Sequence, residues 1–111
     1  MLLIAASAHG QALAIDVCAI EKPPADSRVR PTHVANLLIY PQSLPPRYTG
    51  CQVTWLEDGH KLATVHLNAG RVRSVELHEP NGRTKQCGFD AQGKLTTGDA
   101  SECMPADRWA R

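Results

Sequence analysis

The sequence predicts an all-β or mainly β domain, an antiparallel up-and-down meander with an irregular proline-rich N-terminal arm, stapled by disulfides. Three observations carry this. Glycines at 50, 59, 70, 82 and 93 recur at intervals of 9, 11, 12 and 11 residues, the spacing of short strands joined by hairpins. The stretches between them alternate apolar and polar residues, as a half-buried sheet requires. Four cysteines, Cys18, Cys51, Cys87 and Cys103, are spaced by 33, 36 and 16 residues with no C-x-x-C or C-x-x-H among them. Such spacing suits disulfides rather than zinc ligation.

The elements follow in chain order. Residues 1–14 read as an export leader: Leu2 to Ala8 is a short apolar run, and Ala12 and Ala14 are the small residues a signal peptidase fits at −3 and −1. The basic segment that normally opens such a leader is missing, since no Lys or Arg precedes Lys22. The run is far shorter than the roughly 20 residues of a membrane-spanning helix, so the mature chain is expected to have no membrane span. Cleavage after Ala14 leaves about 97 residues, the size of one domain. Its aromatics are few: Tyr40, Tyr48, Trp55, Phe89 and Trp109. So thin a core needs reinforcement, and a disulfide contributes about 2–4 kcal/mol.

Residues 15–47 form the proline-rich arm. Pro23-Pro24, Pro31, Pro41 and Pro45-Pro46 make 22–30 and 41–47 extended and loop-like, because proline fixes φ and lacks a donor. Between them His33 to Tyr40 (HVANLLIY) fits one buried strand, with a short helix from Thr32 as the alternative. Residues 48–98 form the meander, with strands expected at 52–56, 62–67, 72–78 and 85–89. Residues 99–111 are expected as a tail.

The phrases Asn68-Ala69-Gly70-Arg71-Val72, Pro80-Asn81-Gly82-Arg83-Thr84 and Ala91-Gln92-Gly93-Lys94-Leu95, with Tyr48-Thr49-Gly50 ahead of them, resemble the hairpin repeats of MORN-type proteins, an antitoxin-like bacterial family among them. The resemblance spans residues 48–98 and implies a meander; fold likeness by itself implies no activity. In size, export and disulfide use the chain is also similar to small periplasmic lysozyme inhibitors, although no residues here align with their inhibitory loop.

Local geometry favours Cys87–Cys103, which flank the last hairpin, and leaves Cys18 to tie the arm to Cys51 on the first meander strand. The alternative joins Cys51 to Cys87 and Cys18 to Cys103. Net charge of +1 with interspersed signs argues against a nucleic-acid partner. Arg28-Val29-Arg30 and Arg71-Val72-Arg73 read as solvated faces. No serine or cysteine sits in a nucleophile motif, and the available acids lie at turns, so no catalytic residue is assigned. His60, His66 and His78 fall on or beside neighbouring strands. Were the 68–70 loop to hold three residues, His60 and His78 would face each other, a weak zinc or copper pair; the histidines otherwise read as surface residues. No metal or cofactor is expected. Tyr48 and Trp55 bracket Cys51 and are the candidate interface anchors, although the alternation of Trp55 with Val53 and Cys51 favours a place in the core. The function expected is non-enzymatic: an inhibitor, immunity-type or accessory protein that contacts an envelope or secreted protein. The alternatives are a metal-dependent hydrolase using His60, His66 or His78 with Glu76, and a structural envelope protein.

Overall fold

The computed structural model describes residues 15–103; the expected leader with its cleavage point, and 104–111 of the expected tail, lie outside them. Turn chemistry sets the topology. Three hairpins close on one pattern, at 56–60, 79–83 and 90–94. In each, the N–H of the first residue donates to the carbonyl of the fifth, at 2.8, 2.8 and 2.9 Å, and the glycine in fourth place donates back to the first. Gly59, Gly82 and Gly93 hold φ of 95°, 87° and 85°. This is the type I turn followed by a left-handed residue that closes three-residue hairpins. Asp58, Asn81 and Asp90 side chains then accept from the fifth residue's N–H at 2.8, 2.9 and 2.9 Å.

These turns join seven strands into one sheet whose spatial order is the chain order: β1 (Arg28–Pro31), β2 (Asn36–Tyr40), β3 (Gly50–Leu56), β4 (Lys61–Asn68), β5 (Arg71–His78), β6 (Thr84–Phe89) and β7 (Leu95–Thr97). Every pairing is antiparallel. The expected meander is present, and it is longer than expected. The apolar run of the arm becomes β2 and pairs with β3. Arg28–Pro31, within and beside a stretch read as loop, adds an edge strand. The alternative helix from Thr32 does not form. The Thr32 hydroxyl accepts from Ala35 N at 3.0 Å while Thr32 N donates to Ala35 O at 3.1 Å, which turns the chain into a hairpin instead.

The β4–β5 connection departs from the common turn. Asn68 pairs with Arg71, so the loop holds two residues, Ala69 and Gly70, with φ of 51° and 83°. A β-bulge between His66 and Leu67 shifts the register behind it. The three-residue loop that would have set His60 opposite His78 is therefore absent.

Alternation divides the core between the two sheet faces. On one face Cys51, Val53 and Trp55 of β3 pack with Val17, Ile20, Leu38 and Tyr40. Here the N-terminal arm, through its 3₁₀ turn Val17–Ala19, lies over the sheet. On the other face Leu37, Leu62, Ala63 and Leu77 form one cluster and Val75, Cys87 and Cys103 another. The helical turn α1 (Ala100–Cys103) delivers Cys103 to the second. The disulfides are Cys18–Cys51 and Cys87–Cys103, with Cα–Cα distances of 5.0 and 5.9 Å. The favoured pairing is the one present, so the alternative is excluded. Lys85 adds ion pairs to Glu79 at 3.4 Å and Glu102 at 3.5 Å.

Candidate functional site

Two features stand apart from the packing of the sheet. The first is a groove of about 890 Å³ on the face opposite the arm. Both β1 and the β6–β7 hairpin line it, so the sheet wraps around it. Its apolar wall is built by Leu37, Ile39, Ala63, Val65, Val75 and Phe89, side chains whose period-two spacing turns them to one face. Arg28, Arg30 and Arg71 are its charged residues, and no carboxylate lines it among the described residues. Arg71 Nη1 donates to the Ala91 carbonyl at 3.1 Å. Arg28 and Arg30 are exposed on the edge strand, and neither side chain makes a hydrogen bond or ion pair with a described residue. Sequence reasoning read both as a solvated face. Their alternation around Val29 was the available signal, but it does not reveal that the sheet would curl and turn them toward an apolar wall.

The second feature lies on the arm face. The hairpin closed at Asp58-Gly59 sets Cys51 opposite His66, and the next hairpin sets Thr64 opposite Glu76. His66 Nδ1 lies 3.2 Å from Cys51 Sγ, and its Nε2 lies 3.3 Å from Glu76 Oε1. The Gln86 amide donates to Glu76 Oε2 at 2.8 Å. Burial would raise the Glu76 carboxyl, but Gln86, His66 and His78 together hold it below its ordinary value. His78 Nε2 lies 3.0 Å from Thr64 Oγ1. Burial, and then Lys61, push its imidazole below the ordinary 6.5 despite the opposing pull of Glu76 and Glu21. His60 Nε2 is buried with no hydrogen-bond partner.

The structure thus brings His66 and Glu76 together, and places His78 beside Thr64 rather than face to face with His60. Cys18, Cys51 and His66 hold ligand atoms within 4.8 Å of one another, but both sulfurs are consumed by the disulfide. Oxidised, the cluster offers a cation one imidazole nitrogen, too few donors for a closed site.

Tyr48 and Trp55 need a correction as interface anchors. Tyr48 is 3 % exposed and Trp55 fully buried. Trp55 Nε1 donates to the Glu21 carbonyl at 2.9 Å, fixing the arm. Tyr48 donates to the Cys51 carbonyl at 2.8 Å, and burial raises its phenol above the ordinary value despite that bond. Both polar tips are spent inside the fold, which removes the reason to expect them at a partner's surface.

Comparison of the chain with protein-family models, curated proteins and solved structures finds no match.

Proposed function

We propose that the protein is a non-enzymatic binding module of an extracytoplasmic compartment, inhibitor-like, immunity-like or accessory, that acts by contact with another protein. The observation that supports this is the groove: an apolar wall with the Arg28 and Arg30 side chains unpaired beside it and, among the described residues, no acid lining it. The occupant that suits it is an extended segment of an envelope or secreted protein, alternating acidic and apolar residues. Its apolar side chains would cover the wall, and its carboxylates would meet the guanidiniums in bidentate pairs. The outer edge of β1 would supply backbone hydrogen bonds in the manner of an added strand. Two disulfides, and the absence among the described residues of a helix long and apolar enough to cross a membrane, are compatible with the compartment.

The test is titration with short peptides followed by NMR. Peptides alternating Glu with Val or Leu should shift resonances of β1 and of Leu37, Ile39 and Val65. The double variant Arg28→Glu/Arg30→Glu should weaken that binding about a hundredfold, on the order of one decade per lost charge pair. Equal binding of Lys-containing and Glu-containing peptides would overturn the reading, as would shifts confined to the arm face.

A further inference from the structure

The two disulfides sit in different chemical surroundings. Cys87–Cys103 is buried: Cys87 is 0 % and Cys103 2 % exposed, and Cys87 Sγ lies 3.3 Å from the Asp99 carbonyl oxygen. Cys18–Cys51 is lopsided. Cys51 is 0 % exposed, whereas Cys18, on the 3₁₀ turn of the arm, is not buried. The buried sulfur makes the close imidazole contact, with His66 Nδ1 at 3.2 Å. The ring is held from behind by Glu76 at 3.3 Å, and Glu76 by the Gln86 amide at 2.8 Å.

That asymmetry matches what thiol–disulfide exchange needs. The attacked sulfur must be accessible, and the departing sulfur leaves faster as its thiolate becomes more stable. An imidazolium next to a thiolate supplies that stability. We propose that Cys18–Cys51 is a thiol–disulfide exchange site, with Cys18 the sulfur attacked by an external thiolate and Cys51 the leaving sulfur, stabilised by His66 and Glu76. In the step, a new S–S bond forms between the attacking sulfur and Cys18. The Cys18–Cys51 bond breaks, and its electron pair goes to Cys51 Sγ. The new thiolate can accept a hydrogen bond from His66 Nδ1, whose Nε2 faces Glu76 Oε1. No electrons are gained or lost overall: one disulfide and one thiolate give one disulfide and one thiolate.

The arm also favours reversal. Val17 is 2 % exposed against Cys51, Val53 and Trp55, the Trp55 indole holds the Glu21 carbonyl at 2.9 Å, and the Asp16 carboxylate accepts from Cys18 N at 3.1 Å. These contacts survive cleavage of the S–S bond, so Cys51 stays beside Cys18 at high effective concentration. It can attack the mixed disulfide and release the captured thiol. The site is therefore a reversible receiver of thiols, carried either by a small molecule or by a cysteine of another protein. It lies on the face opposite the groove, and its operation does not depend on what the groove binds.

The experiment follows the full chain in a glutathione buffer at neutral pH, with acid quenching, alkylation and peptide mass mapping. Cys18–Cys51 should open at least about tenfold faster than Cys87–Cys103, with the glutathione adduct on Cys18. His66→Gln should slow that opening about tenfold and Glu76→Gln by a smaller factor, both leaving Cys87–Cys103 unchanged. A variant that merely loosened the fold would speed both disulfides, the opposite sign, so it cannot imitate the expected result. A parallel arm with a cysteine-containing peptide separates the sources: faster capture of the peptide than of glutathione assigns the site to protein thiols, and the reverse assigns it to small ones. Equal opening of the two disulfides, an adduct on Cys51, or an unchanged rate in His66→Gln would overturn the proposal.

Discussion

At the scale of single residues, two backbone positions carry conformations that their side chains decide. Ala69 sits at φ 51° in the two-residue turn between β4 and β5, where a Cβ crowds the following carbonyl at a cost of about 1–2 kcal/mol. Its N–H donates to Thr49 Oγ1 at 2.9 Å and Gly70 N donates to the Tyr48 carbonyl at 2.9 Å, so the turn is fixed from outside and cannot relax. Ala69→Asn, which tolerates that conformation, should stabilise the protein by about 0.5–1 kcal/mol, read as a higher urea midpoint with an unchanged slope. Gly98 is the converse. It holds φ 88°, and a Cβ there would lie 2.5 Å from the Gln86 carbonyl oxygen and 2.7 Å from Cys87 Sγ. Both neighbours belong to β6 and neither can swing away. Gly98→Ala should therefore destabilise by about 2–3 kcal/mol, and a midpoint within error of the parent would contradict the close approach.

At the scale of elements, the disulfides join parts that the sheet alone holds weakly: the arm to β3, and α1 to β6. Closing loops of 33 and 16 residues removes unfolded-state entropy worth about 3–4 kcal/mol each. The double variants Cys18→Ser/Cys51→Ser and Cys87→Ser/Cys103→Ser should each lower the unfolding free energy by that order in urea titration. The first should lose slightly more, and an unshifted midpoint in either would mean that packing alone secures the element. Much of this frame is legible in the residues. Asp58-Gly59, Asn81-Gly82 and Gln92-Gly93 mark turns because so few residues accept positive φ, and two turns fix the register of everything between them. The cysteine pairing follows, since Cys87 and Cys103 flank the last hairpin. β1 is not legible, because Arg28-Val29-Arg30-Pro31 has all four residues exposed and becomes a strand only when β2 offers it an edge. The two-residue turn at Ala69 is hidden for a related reason: alanine gives no sign of a left-handed conformation that its surroundings impose.

At the scale of the whole molecule, the sheet gives its two faces different electrostatics, apolar and arginine-flanked on one, histidine-bearing on the other. The sites were less legible than the fold. His60, His66, His78 and Glu76 stood out as residue types, but which of them meet depends on the bulge at His66/Leu67, which local sequence does not announce. Tyr48 and Trp55 looked like anchors because their chemistry suits surfaces as well as cores; internal acceptors at Cys51 and Glu21 put them in the core. The histidine face also sets how the protein responds to acid. His78, faced by Lys61, Glu76, Glu21 and His60, has its imidazole held below the ordinary 6.5 by burial and by Lys61. The unfolded chain therefore binds a proton there at a higher pH than the folded one does. Stability from this group is complete above about pH 6.5 and is lost as pH falls from there through the lowered folded value. Glu76 has the same sign in a lower window: Gln86, His66 and His78 outweigh burial and keep its carboxyl below the ordinary 4.5. Its contribution is present above that value and disappears as pH drops through the folded one. Thermal melts should thus fall in two stages on acidification, the first beginning near pH 6.5. His78→Gln should flatten the first stage and shrink the second slightly, because His78 helps to lower the Glu76 carboxyl. Glu76→Gln should remove the second and deepen the first, because Glu76 opposes the lowering of His78. A melting temperature that stays level from pH 7 to pH 5 in the parent, or a first stage that persists in His78→Gln, would show that this face does not govern the acid response.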